Sequence, residues 1–314
     1  VFPSLTHNVK VAIFALYSFL TFATIVTYTL GALRPKKNYR ELKQRVNSWW
    51  IIIVIFTGSI AGPPAAKIGF LAFVSFLALR EYVSLIPTRK ADRRIIFWCY
   101  LAVPLQFYWV SIHWYSMFLI FIPVYMFLFL PLRMVTIGET KGFLNAAGTL
   151  NWGLMTTVFS ISHVAYLFEL PPAYNPAGGG PGLVLYLVLL TQANDVAQYL
   201  WGKALGRHKV IPKVSPNKTV EGLLGGVFTT TVLSALGAPY LISLSFPKSV
   251  IAGLIISTAG FIGDVVISAI KRDIGVKDAG SLLPGHGGLL DRIDSLTYTA
   301  PIFFHCMKYL YDRM

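Results

Sequence analysis

The sequence predicts an all-α protein, a polytopic transmembrane bundle of about ten spans, and three observations carry that prediction. Hydrophobic residues make up 55% of the 314-residue chain, and mean hydropathy is +0.63. Only 13% of residues are charged, whereas roughly a quarter is usual in soluble domains. Apolar runs close to the length of a bilayer crossing recur from end to end. Low charge and 14% aromatic residues exclude a disordered, collagen-like or coiled-coil chain. A net charge of +14 would suit a nucleic-acid binder. Such modules need soluble basic surfaces, so no nucleic-acid partner is expected.

The runs fall at about 10–33, 47–62, 65–86, 95–112, 115–137, 147–168, 182–201, 222–244, 249–270 and 295–312. The first is long and lacks a small-residue cleavage site before a soluble domain, so it reads as a span and not a signal peptide. The second is short and is parted from the third by Gly62-Pro63-Pro64; length alone leaves a re-entrant segment open. Pro104, Pro123, Pro131 and Pro301 interrupt later runs, which membrane helices tolerate when neighbours satisfy the freed backbone groups. The stretch Pro171–Pro176 with Gly178-Gly179-Gly180 reads as a loop, and Trp49, Trp50, Trp114 and Trp201 near span ends read as an interfacial belt.

The cations set the orientation. With this register, 22 of the 27 Lys and Arg residues fall in connections that follow odd-numbered spans. Positive-inside bias makes those connections cytoplasmic, requires the 49–86 region to cross twice, and places both termini outside. Arg34–Arg45 and Arg89–Arg94 read as topology signals and contacts to anionic lipid. Arg80-Glu81 reads as a structural pair or interface anchor. Cys99 and Cys306 lie in separate apolar stretches, with neither disulfide nor metal-ligand spacing. His113, His163 and His305, each alone among apolar neighbours, read as packing residues. The polar content divides the chain into generic N-terminal helices, 1–170 (spans 1–6), and C-terminal helices, 171–314 (spans 7–10).

Two cytoplasmic connections in that second part carry chemistry. One runs from Asp195 through Gln198-Tyr199 and Gly202-Lys203 to Ser215-Pro216-Asn217-Lys218-Thr219-Val220-Glu221-Gly222. The other runs from Gly263-Asp264 through Ser268, Lys271-Arg272 and Lys277-Asp278 to Pro284-Gly285-His286-Gly287-Gly288, then Asp291-Arg292-Ile293-Asp294. Asp264 lies seven residues before Lys271, roughly 10 Å deeper along a helix, and 264, 268 and 271 share one face. Acids at such depth face a watery cavity or a partner, and a plain interhelical salt bridge stays open for Asp264 and Asp195. Asp291 and Asp294 stand at the start of the last span, where capping is the bland reading. The preceding glycines allow a backbone to approach a ligand and consecutive amides to cradle an anion. Carboxylates among Lys and Arg suit a hard divalent cation bridged to phosphates, the arrangement of phosphoryl and nucleotidyl transfer.

The stretch Ser268–Asp294 resembles the signature of phosphatidate cytidylyltransferases (CDP-diacylglycerol synthases). The residues that carry the likeness are Ser268-x-x-Lys271-Arg272, Lys277-Asp278, His286-Gly287-Gly288 and Asp291-Arg292-x-Asp294. The stretch Asp195–Gly222 is similar to that family's other block, differing at Gln198 and Asn217, where Ala and Lys are usual. The resemblance implies CMP transfer from CTP to phosphatidic acid, releasing pyrophosphate, in a helical bundle whose polar cavity opens to the cytoplasm and to lipid. It implies Asp264, Asp291 and Asp294 as metal-binding acids for Mg2+, with a second metal ion left open. Catalytic roles are implied for Asp264, Asp291, Lys271 and Arg272. His286 is either a proton donor, a phosphate ligand or a turn residue. Asp195, Ser215, Pro216, Lys218, Thr219, Glu221 and Arg292 are the implied substrate-binding residues. A multi-pass protein of a bacterial inner membrane is the expected setting, with an organelle membrane and a homodimer left open. Competing readings are another CTP-using lipid enzyme, a lipid kinase included, a transporter, and an inactive homologue.

Overall fold

The computed structural model describes residues 5–33, 39–87, 92–280 and 287–311. Among them the regular structure is helical apart from isolated bridges, one of them antiparallel between Lys209 and Thr219. In chain order the long helices are α1 (His7–Leu33), α2 (Arg40–Ala61), α3 (Pro64–Leu85) and α4 (Arg93–Ser111). Next come α5 (Tyr115–Ile120) and α6 (Phe127–Val135), joined by a π-helical turn at Phe121–Met126 that contains Pro123. A second π-turn, Met155–Phe159, joins α7 (Phe143–Leu154) to α8 (Ser160–Phe168). Then follow α9 (Gly179–Leu205), α10 (Val220–Leu241), α11 (Phe246–Asp273), the single turn α12 (Leu290–Ile293) and α13 (Leu296–Tyr311).

Each apolar run overlaps a helical stretch. Among the described residues six stretches are long and apolar enough to cross a bilayer: α1, α3, Tyr115–Val135, α9, α10 and α11. The others are diluted or short. Helix α2 opens on Arg40 and Arg45, α4 opens on Arg93-Arg94, and α13 has 16 residues. At 1.5 Å per residue α13 covers about 24 Å, less than the roughly 30 Å hydrocarbon core.

Small residues set the close packing. Helices α9 and α10 meet along Gly202, Gly222, Gly225 and Gly226; a Cβ on Gly222 would lie 2.8 Å from the Gln198 carbonyl oxygen. Without a hydrophobic force between helices in lipid, such close backbone approach supplies the van der Waals contact. Helix α11 packs on α10 and α13, and a Cβ on Gly263 would stand 2.6 Å from the Asp294 carbonyl oxygen. That glycine lets the start of the last helix lie against α11 directly beside Asp264. On the N-terminal side, α3 is fixed to the α7–α8 segment. Ser75 Oγ donates to the Thr157 carbonyl (2.7 Å), Tyr82 Oη donates to the Thr149 carbonyl (2.9 Å), and the Tyr82 ring lies on Gly153.

The loop after α8 contains a 3-10 turn, Pro172–Tyr174, and is clamped by the buried Asn175. Its Nδ2 donates to the carbonyls of Gly179 (2.8 Å) and Leu241 (2.9 Å), and its Oδ1 accepts from the Ser243 amide (3.1 Å). Asn175→Ala leaves these groups unpartnered and is expected to cost about 1–3 kcal/mol. A thermal unfolding midpoint equal to that of the parent protein would refute the clamp.

Candidate active site

The two connections singled out from the sequence meet at one end of α9, α10 and α11. The 206–219 loop is tied into a ribbon by Val210 N–H donating to the Lys218 carbonyl (3.2 Å) and Val220 N–H to the His208 carbonyl (2.9 Å). Glu221 holds the ribbon from the first turn of α10. Its Oε2 accepts from the Arg207 amide (3.0 Å), and its Oε1 contacts His208 Nδ1 at 2.6 Å. Thr219 caps α10, its Oγ1 accepting from the Gly222 amide (3.1 Å). Glu221 and Thr219 therefore shape the loop. Ser215 belongs to a turn whose carbonyl accepts from Lys218 N–H (3.2 Å), with Pro216 exposed at its tip. Arg272 is exposed and donates from Nε to the Val214 carbonyl (3.3 Å), joining the ribbon to α11.

From that turn Lys218 reaches down to Asp264, Nζ to Oδ2 at 2.6 Å, with the ammonium 4.7 Å from the Phe261 ring centroid. Ser268 Oγ, one turn above, donates to Asp264 Oδ1 (3.2 Å). Asp264 and Ser268 thus share a helix face as their spacing requires. Lys271, on the same stripe, pairs elsewhere: its Nζ donates to Asp291 Oδ1 (2.6 Å), with both residues buried at 9% and 8% exposure. Asp291 Oδ2 accepts from the amides of Ala279 (2.8 Å) and Gly288 (3.0 Å). A carboxylate satisfied by two amides and an ammonium is held firmly despite its burial.

The remaining acids converge. Asp195 Oδ1 accepts from Ser295 Oγ (3.0 Å), and Asp294 Oδ1 accepts from the Ser295 amide (2.7 Å). Asp195, Asp264 and Asp294 lie close enough to repel one another, and Lys218, Lys271 and Arg292 supply the opposing charge. Among the described residues no group of three His, Cys, Asp or Glu side chains is gathered tightly enough to hold a metal ion. The acids expected to share one therefore divide: Asp264 and Asp294 are neighbours, and Asp291 is engaged by Lys271 and backbone. His286 lies outside the described residues.

A cavity of about 600 Å3 opens beside this cluster. The signature residues Lys277, Asp278, Gly287, Asp291 and Arg292 line one side, and Gln192, Asp195, Val196 and Tyr199 of α9 line another. Arg45 and Trp49 of α2 complete the wall. Sequence reasoning placed Arg45 among topology cations and Trp49 in an interfacial belt. Nothing in their local spacing separates them from neighbouring cations and tryptophans. Glu81 also differs from its expected pairing role. Its Oε2 accepts from the amides of Leu289 (2.7 Å) and Leu290 (3.3 Å) at the start of α12. An acid inside an apolar helix was the available signal.

Two lysine–aspartate pairs and a converging set of carboxylates beside a cavity at the end of apolar helices define a class. This is a helical membrane protein with a charged, partly buried site. The chain belongs to the cytidylyltransferase family, whose model matches residues 43–310. It is 46% identical over 294 residues to the uncharacterised protein YnbB of Escherichia coli (strain K12), covering 94% of this chain and 96% of that one. It is 38% identical over 154 residues to phosphatidate cytidylyltransferase of Staphylococcus aureus (strain COL), and 35% identical over 153 to that of Staphylococcus haemolyticus. Each of these two matches covers 48% of this chain and 59% of the relative.

Proposed function

We propose that the protein transfers CMP from CTP to phosphatidic acid, forming CDP-diacylglycerol and pyrophosphate. The observation that carries this reading is the meeting of the two connections through Lys218–Asp264, with the Lys271–Asp291 pair of the second connection beside them and a cavity that Asp195, Asp291 and Arg292 line. A nucleotide triphosphate and a lipid phosphate are both anions, so the barrier to their reaction is largely charge repulsion. An oxygen of the lipid phosphate bonds to the α-phosphorus of CTP. The bond from that phosphorus to the bridging oxygen breaks, and pyrophosphate leaves with the electron pair. A lipid phosphate monoester has its second pKa near 6, so at neutral pH the attacking oxygen needs no strong base. Lys218, Lys271 and Arg292 neutralise and position the phosphates. In exchanging a carboxylate for a phosphate partner, each lysine would release its aspartate.

Carboxylates are the donors a hard divalent cation takes, and the mutual repulsion of Asp195, Asp264 and Asp294 is what such a cation relieves. On that fit Mg2+ would be held by Asp264 and Asp294 with Asp195 beside them. Asp291, engaged by Lys271 and two amides, would be a donor only with its Oδ1 released from Lys271. When bound, the metal ion supplies charge neutralisation for the triphosphate. The C-terminal helices, 171–314, form the catalytic part, and the wall formed by α2 recruits the N-terminal part to the same cavity. A register of ten crossings with both termini outside puts 22 of the 27 cations on one side of the membrane. The site then faces the cytoplasm, in the inner membrane of a bacterium.

Purified protein given phosphatidic acid in mixed micelles, Mg2+ and CTP labelled at the α-phosphate is expected to yield labelled lipid and one pyrophosphate per lipid. Lipid labelled only when the γ-phosphate carries the label would identify a kinase and overturn the proposal.

A further inference from the structure

The turn that carries Asp291 is contacted by an element that the sequence assigns to a generic helix bundle. Glu81 sits near the end of α3, and the signature turn it contacts lies some two hundred residues away in the chain. Its Oε2 receives the first two amides bordering α12, groups that a helix start leaves without intrahelical partners. The N-cap residue, Leu289, makes no side-chain capping hydrogen bond, and Glu81 fills that role from another helix. The turn also carries Asp291, whose Oδ2 accepts from Gly288 next to Leu289.

Space for the Glu81 carboxylate is made by glycines. The three nearest atoms to a Cβ on Gly280 would all belong to Glu81, with Oε1 at 2.8 Å and Cδ at 3.2 Å. A Cβ on Gly288 would overlap Oε1 outright. The carboxylate is thus inserted between Gly280 and Gly288, with its Oε1 buried and, among the described residues, without a hydrogen-bond partner. Leaving an acid oxygen unpaired is costly, and it persists here because the surrounding structure fixes it. The next residue, Tyr82, is fixed on Gly153 and to Thr149, so α3 presents Glu81 from a rigid mount.

We infer that Glu81 is a positioning residue that holds the signature turn, and with it Asp291, in register with Lys271. It acts through Asp291 and touches no reacting atom. The inference about catalysis rests on the proposed CMP transfer; the inference about the turn does not.

The test uses the full chain in lipid nanodiscs, comparing E81A, E81Q, G280A and the E81A/G280A double variant. Hydrogen exchange at the Leu289 and Leu290 amides is expected to quicken ~10–100-fold in E81A, as two charge-assisted hydrogen bonds are lost. Turnover falls ~10–100-fold, the size typical of losing an outer support of an active-site ligand, while KM for CTP stays nearly unchanged. E81Q, which keeps an acceptor oxygen, recovers most of both. G280A displaces the carboxylate and reproduces the E81A defects, and the double variant is no worse than E81A. Unchanged exchange at 289–290 in E81A, or losses that add in the double variant, overturn the inference. Should E81A fold poorly, E81Q and G280A carry the same comparison. Exchange that responds as expected in a protein making no CDP-lipid would retain the Glu81 hold and reject the proposed function instead. CDP-lipid formation with exchange and turnover in E81A equal to the parent would do the reverse.

Discussion

Asp264→Asn is expected to lower CMP transfer by ~10³-fold or more, a loss of the size seen when a preorganised charge at a transition state is removed. Asp264 pairs with Lys218, accepts from Ser268 and lies close enough to Asp195 and Asp294 to repel them, so the substitution strands the Lys218 ammonium and removes one of the three clustered negative charges. Asparagine keeps the shape and one acceptor, so the helices should remain packed through Gly263. The two effects separate when turnover and thermal unfolding are measured on the same preparation. Turnover equal to the parent enzyme would remove Asp264 from the site. The Lys218→Met substitution should also slow the reaction, since the same ammonium would meet phosphate.

Lys271→Met is expected to cost about 3–5 kcal/mol of stability, because it strands the buried Asp291 carboxylate. Asp291 would retain its two amide donors at Ala279 and Gly288, which places the loss nearer the lower figure. Adding Asp291→Asn to Lys271→Met removes the unpaired charge and should restore most of the unfolding midpoint. Activity should stay absent in that double variant, since neither the ammonium nor the acid is available to the phosphates. Recovery of both stability and turnover would show the pair to be structural alone. Failure to recover stability would show that the pair is not what holds the signature turn.

Much of the architecture was legible because it rests on local composition. Bilayer-length apolar runs and their breaks at Gly62-Pro63-Pro64 and Pro171–Pro176 foretold where helices begin and end. The period of the α-helix alone put Ser268 one turn from Asp264, and their hydrogen bond follows. The same period suggested that Lys271 belonged to that stripe. Its ammonium instead crosses to Asp291, twenty residues on, and Lys218 arrives from the preceding connection to take Asp264. Pairing between loops depends on distances that spacing along the chain does not encode.

Charge pattern behaves in the same way. A count of cations separates one side of the membrane from the other because the bias is a sum over many residues. It cannot say that Arg45 differs from the cations near it, since only the placement of α2 brings Arg45 and Trp49 to the cavity wall. Glu81 is the sharper example. In the sequence it is an acid beside Arg80; in the fold it is the partner of two amides from the other half of the chain.

By itself, the sequence determined the helical membrane class, the positions of the helices and the two polar connections that carry the family's signature residues. Those are properties of composition and of short-range periodicity. The tertiary structure alone decided which lysine meets which aspartate, which acids converge, and that α2 and α3 reach the site. Those contacts depend on which segments meet in space: Gly222 lets α10 lie against α9, Gly263 lets the start of the last helix lie against α11, and Gly280 and Gly288 leave room for Glu81.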